Sequence, residues 1–124
     1  NILANAYFID GKWVQAFPQF GVERRGSPVE AFLRVGEKDE HFIRSAIKNP
    51  DIVVILDPSL LSLSSVLSGL KEGGWCIINT PNQNVKDEVV FPKNINIAIV
   101  DANSIAVRYG LGTKEQPIVN SAIL

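Results

Sequence analysis

Apolar and polar positions change their rhythm along the chain, and the changes mark out the elements. In residues 1–10 Leu3, Ala6 and Tyr7 share a helical face, and Gly11 stands where a helix stop belongs. Trp13 to Phe17 reads as a strand, ended by Pro18. From Val29 to Val35, Val29, Ala31, Leu33 and Val35 alternate with Glu30, Phe32 and Arg34, the period of a strand with one buried face. The stretch between these two strands, from Gln19 to Pro28, has no helical pattern. A parallel pairing would need a longer and usually helical crossover, so the two strands are expected to pair antiparallel.

Beyond Val35 the pattern passes through Gly36 and a charged turn, Glu37-Lys38-Asp39-Glu40. His41 to Lys48 fits a short strand or a short helix. Ile52 to Leu56 is an unbroken apolar run rich in β-branched residues, the mark of a strand covered on both faces. Leu60, Leu63, Leu67 and Leu70 come next at helical spacing, with Ser59 as N-cap and Gly73 as stop. Trp75 to Ile78 is a second buried strand, which completes a βαβ unit and predicts a parallel pair with a right-handed crossover. Residues 81–94 have no clear period and read as loop. Ile95 to Val100 is a third strand, Asn103 to Tyr109 a short helix, and Pro117 opens a last one. The fold class predicted is α/β, a three-layer α/β/α sandwich with a mixed, mostly parallel sheet.

Composition narrows the function. The 124 residues suit one domain, and 46% apolar content is enough for a core. Charged residues are 20% with a net charge of -1, which opposes both disorder and a general nucleic-acid binder. A single cysteine, Cys76, can close no internal disulfide and cannot alone anchor an iron–sulfur cluster. It lies in the apolar run Trp75-Cys76-Ile77-Ile78 and reads as a buried, inert thiol. The single histidine, His41, has no partner spacing for a metal or a catalytic set and reads as a surface residue. No apolar run reaches the length of a membrane span, and the N-terminus lacks a secretory signal pattern, so a cytoplasmic protein is expected. The chain opens in an apolar-periodic stretch and closes on Val119-Asn120-Ser121-Ala122-Ile123-Leu124 without a stop signal. Flanking sequence is therefore expected at both ends.

Two places could carry chemistry. Open α/β sheets bind ligands beyond the carboxyl ends of their parallel strands. Those ends hold Asp57, then Asn79 and Thr80, then Asp101; these residues either cap the next turn of chain or face a ligand. The loop Phe20-Gly21-Val22-Glu23-Arg24-Arg25-Gly26 sets adjacent arginines between glycines and beside an aromatic ring. Guanidinium groups suit carboxylates and phosphates, and arginine with aromatics is the composition of interface hot spots. The loop could meet a partner protein, clamp an anion, or lie solvated with its arginines paired to Glu23 or Glu30.

The run VQAFPQFGVERRGSPVEAFLRV resembles the gamma-subunit signature of the 2-oxoacid:ferredoxin oxidoreductases. The likeness takes in Gly11-Lys12, the strand Trp13 to Phe17, the tandem-arginine loop, and Val29 to Arg34. It continues through Pro50-Asp51, Asp57 with its leucine-rich follower, Gly69-Leu70-Lys71 and Asn79-Thr80, and so spans nearly the whole chain. The family's Gly-x-Gly-Gly-Gln-Gly turn, which precedes its first helix, does not occur here. The resemblance implies one gamma-type domain over residues 1–124. It implies a complex that joins a 2-oxoacid, pyruvate first among them, to coenzyme A, releasing carbon dioxide and passing electrons to ferredoxin. Thiamine diphosphate and [4Fe–4S] clusters would sit in alpha-, beta- and delta-type partners, and this chain would hold no cofactor by itself. Phe20, Gly21, Glu23, Arg24, Arg25, Gly26, Asp57, Asn79 and Thr80 are the implied interface or cofactor-facing residues, with no catalytic or metal-binding side chain. The alternative from the residues is a free-standing α/β module that binds a nucleotide or another anionic small molecule at Asp57, Asn79 and Asp101.

Overall fold

The computed structural model of the chain describes residues 2–20, 28–38 and 43–124. These fall into two compact units, Asn1–Ile47 and Lys48–Leu124.

The first unit is a helix and a β-ribbon. Helix α1, Ile2–Ile9, contains no buried residue; Leu3 and Tyr7 are better covered than Phe8 and Ile9. It stops as the sequence predicts. Gly11 takes φ 82°, its N–H donates to the Phe8 carbonyl, and the Lys12 N–H donates to the Tyr7 carbonyl. These paired bonds form a Schellman cap, which needs the left-handed conformation that glycine adopts without a Cβ penalty.

Strands β1, Trp13–Gln19, and β2, Glu30–Gly36, pair antiparallel as expected, with Trp13 opposite Gly36 and Phe17 opposite Phe32. Among the described residues their sheet has these two strands. Pro18 does not end β1; it pairs with Ala31. In a ribbon both strands are edges, so a missing N–H can point outward at no cost to the ladder. The alternation in β2 does not give a buried face, since Val29 and Val35 are exposed. The opposite face carries the ring contact between Phe17 and Phe32, 5.5 Å between centroids, with the Arg44 guanidinium 5.3 Å from the Phe17 ring. On that same face Arg34 donates to Gln15 Oε1 at 2.9 Å and to the Ser45 carbonyl at 2.7 Å, tying residues 44–46 to the ribbon. Residues 43–48 form neither the strand nor the helix considered for them, and His41 lies outside the described residues.

The second unit is a parallel sheet in the order β3 (Ile52–Ile55), β4 (Trp75–Asn79), β5 (Asn96–Val100). The expected single mixed sheet is thus two sheets, one antiparallel and one parallel. The crossover from β3 to β4 is not an α-helix. A 3-10 helix spans Pro58–Ser62, and the turns after it close through Val66 to Leu63, Ser68 to Ser65 and Leu70 to Leu67. Every one of these bonds reaches back three residues. Five serines between Ser59 and Ser68 explain the failure of the α-helix, because hydroxyls compete for backbone partners; Ser62 Oγ donates to the Ser59 carbonyl at 2.8 Å. Its cap is Asp57, not Ser59.

Helix α2, Val85–Glu88, lies in the stretch that reads as loop, and α3, Ala102–Arg108, comes after β5. Pro117 opens no helix; it bridges antiparallel to Gly112. The core gathers Ile55, Leu67, Leu70, Cys76, Ile78 and Val85 on one side of the sheet. On the other face Ile52 and Val54 are about half exposed, so β3 is not covered on both faces; β4 starts with half-exposed Trp75 but continues to partly buried Ile77 and buried Asn79.

Candidate functional site at the carboxyl ends of the parallel strands

Each parallel strand runs out of apolar residues at the same edge of the sheet, and a small polar residue takes over. Asp57 comes after β3, Asn79 ends β4 with Thr80 next, and Asp101 comes after β5. The parallel register places Ile55 beside Ile78 and Asn79 beside Val100, which brings the strand ends together.

Asn79 is the knot of this edge. It is buried, its Nδ2 donates to the Leu56 carbonyl and to Asn103 Oδ1, both at 2.9 Å, and its Oδ1 accepts the Ala102 N–H at 3.0 Å. One amide thereby joins the end of β3, the end of β4 and the first turn of α3. Thr80 is also buried; its N–H donates to the Val100 carbonyl at 2.9 Å and its Oγ1 accepts the Asn82 N–H at 3.1 Å.

The two aspartates act as caps. Asp57 Oδ1 accepts the Ser59 N–H and Asp101 Oδ1 accepts the Ser104 N–H, each at 3.0 Å. Hydrogen bonding from Ser59, through its side chain and then its backbone, holds Asp57 below the usual carboxylate range, and Ser104 does the same for Asp101. Both are ionised at neutral pH. Their oxygens occupy the very N–H groups that would otherwise attract a bound anion.

An open cleft of about 710 Å³ lies beyond β3 and β4. The 3-10 helix supplies one wall through Leu61 and Ser62, and Val85, Glu88 and Val90 supply the other. Thr80 and Asn82 also line it. Among the described residues the lining contains no lysine or arginine, and Glu88 is its one charged residue. Asn82 Nδ2 donates to Glu88 Oε2 at 2.8 Å and fixes the carboxylate in place. Asn82, Val85, Glu88 and Val90 are absent from the sequence-derived site. The available signal was Asn84 ahead of Val85 and Val89 at four-residue spacing, with Asp87 and Glu88 in the first turn.

Asp57, Asn79, Thr80 and Asp101 are therefore brought to one edge. Phe20 comes directly after β1 in the other unit and is well exposed. Gly21, Glu23, Arg24, Arg25 and Gly26 lie outside the described residues. Cys76 is fully buried in β4, and burial pushes its thiol up to about 11, as expected for an inert thiol. Among the described residues no group of His, Cys, Asp and Glu could hold a metal ion, and no helix is long and apolar enough to cross a membrane.

A family profile described as pyruvate ferredoxin/flavodoxin oxidoreductase matches residues 1–124. The chain is 51% identical to the pyruvate/ketoisovalerate oxidoreductases common subunit gamma of Thermococcus litoralis, over 100% of this chain and 65% of that one. It is 45% identical to the pyruvate synthase subunit PorC of Methanothermobacter marburgensis, over 99% of this chain and 63% of the relative. Among solved structures, the pyruvate oxidoreductase subunit PORC of Thermotoga maritima superposes with a TM-score of 0.76 at 35% identity, covering 98% of this chain and 61% of that one. The chain thus spans somewhat less than two thirds of the length of the relatives it matches.

Proposed function

The chain belongs to the pyruvate ferredoxin/flavodoxin oxidoreductase family, and on that premise we propose that it is the gamma component of a multisubunit 2-oxoacid:ferredoxin oxidoreductase. The complex would oxidatively decarboxylate pyruvate or a close relative, form the acyl-coenzyme A, and pass the electron pair to ferredoxin in the cytoplasm. Alpha-, beta- and delta-type chains would be its partners. Thiamine diphosphate supplies the carbanion chemistry in such a reaction. One cysteine does not fit a [4Fe–4S] cluster, so the clusters are assigned to partner chains.

The observation that carries this proposal is the match along the whole chain to proteins named as subunits. The name of the Thermococcus relative adds a constraint: it is common to a pyruvate and a ketoisovalerate enzyme. A subunit shared in that way cannot be the one that tells the two acids apart. For this chain a role in assembly and in the approach of a common co-substrate fits better than a role in the oxoacid pocket. The loop from Phe20 to Gly26 is the proposed contact surface, because paired guanidinium groups beside an aromatic ring suit a partner surface or a phosphate.

The edge with Asp57, Asn79 and Asp101 supports a free-standing anion binder poorly. Two ionised aspartates and Glu88 stand there, and the cleft lining offers no cation among the described residues. Co-expression with alpha, beta and delta chains is the test. The proposal expects a stable complex whose coenzyme A-dependent turnover or assembly falls in the Arg24→Ala, Arg25→Ala double variant. Failure of the unsubstituted chain to join the complex would overturn the subunit assignment; an unaffected double variant would overturn the loop's role alone.

A further inference from the structure

We infer that the free edge of β3 pairs with a further β-strand, supplied by the subunit's own polypeptide outside these 124 residues. The inference rests on family membership and on the geometry of the edge, not on the proposed reaction. In the order β3-β4-β5, β3 stands at an edge among the described residues. Its sequence, Ile52-Val53-Val54-Ile55, is that of an interior strand, because continuous β-branched apolar runs belong to parallel strands enclosed by the rest of the fold. Edge strands are normally protected by a charge, a proline or a bulge. None of these interrupts β3, whose register with β4 runs unbroken from Ile52 opposite Trp75 to Ile55 opposite Ile78.

The phase of the ladder shows which backbone groups are left over. The Trp75 N–H donates to the Asp51 carbonyl, and Ile52 stands opposite Trp75. In a parallel ladder this phase turns residues 51, 53 and 55 toward β4. The N–H and C=O of Ile52 and of Val54 therefore point away from β4, and among the described residues no hydrogen bond reaches them. Their side chains are about half exposed. The opposite edge differs, for Ile97, Ala98, Ile99 and Val100 of β5 are each already partly buried. Unpaired donors and acceptors spaced two residues apart select an extended strand, which alone meets them in register. Two considerations place that strand in the same polypeptide. The residues here cover 65% of the Thermococcus relative and 61% of the Thermotoga chain, so each of those has further sequence to supply it. A bare apolar edge would also template aggregation of the free subunit before assembly, and a strand that folds with the subunit removes that hazard at once.

Hydrogen exchange on the complete gene product, purified with whatever partners accompany it, tests the pairing. Resolved to single residues by mass spectrometry, the Ile52 and Val54 amides should exchange within about ten-fold of Val53 and Ile55, whose amides bond to β4. Faster exchange at both would overturn the inference. The source of the strand is read by a photoreactive diazirine amino acid placed at Val54 in the same protein. Photolysis should join it to a peptide of the gamma chain outside the 124 residues. A cross-link to a partner chain, to a site within the 124 residues alone, or to nothing but water would overturn the inference. The exchange measurement uses unsubstituted protein, so it decides the pairing even where the substituted chain fails to fold. Neither measurement depends on turnover, so their failure leaves the subunit assignment standing. That assignment fails separately, when the unsubstituted chain does not assemble.

Discussion

Asn79 concentrates more structural consequence than any other polar side chain described at the sheet edge. Replacing it with alanine strands the buried Ala102 N–H and removes the donor to the part-buried Leu56 carbonyl. Unsatisfied buried groups of this kind cost about 1–3 kcal/mol each. Asn79→Ala should therefore lower the unfolding free energy by about 2–4 kcal/mol, measured by denaturant titration. Asp57 and Asp101 carry a pH dependence. Both have folded pKa values below their unfolded ones, so their capping contribution is complete above the unfolded value near 3.9 and is lost as pH falls through the folded values. Stability should decline on acidification below about pH 4. Asp101→Asn should keep the cap and remove that site's share of the decline, whereas Asp101→Ala should cost about 1 kcal/mol at neutral pH. The positions of Asp57, Asn79, Thr80 and Asp101 were legible because an apolar run that ends in a small polar residue marks a strand end. That the aspartates cap, and that Ser59 does not, depends on backbone geometry that residue type alone leaves open.

At the scale of elements, legibility tracked the strength of local signals. The stop of α1 is written in Gly11, and the parallel pairing of β3 with β4 in two apolar runs separated by a leucine-rich crossover. The crossover's conformation was not legible, because leucine spacing of three and four suits an α-helix while serine chemistry and three-residue hydrogen bonds select 3-10 turns. Helix α2 was missed because four residues show barely one period. Two glycines separate backbone strain from steric contact. Both Gly11 and Gly69 have positive φ, but a Cβ at Gly11 would meet open space, whereas one at Gly69 would lie 2.0 Å from the Lys48 carbonyl oxygen. Gly11→Ala should cost about 1–2 kcal/mol from the left-handed conformation alone. Gly69→Ala should cost clearly more, since the Lys48 backbone must move; thermal melts of the two variants make the comparison.

For the whole molecule, the α/β class was legible but the division into two sheets was not. Period-two patterns show which strands exist and which faces are apolar; they do not say which sheet a strand joins. The same limit applies to burial. The run from Ile52 to Leu56 reads as covered on both sides, yet Ile55 is buried while Ile52, Val54 and Leu56 are exposed. Ile55→Ala should cost about 2–5 kcal/mol, and Val54→Thr should stay within about 0.5 kcal/mol, both by denaturant titration of the free chain. The thiol at the centre of β4 has a further use. Thiol reagents capture the thiolate, and Cys76 is fully covered in the middle strand of its sheet. A colorimetric disulfide reagent should therefore stay silent until the sheet comes apart, and the chain's lone sulfur becomes a built-in clock that records each opening of the second unit without any added label.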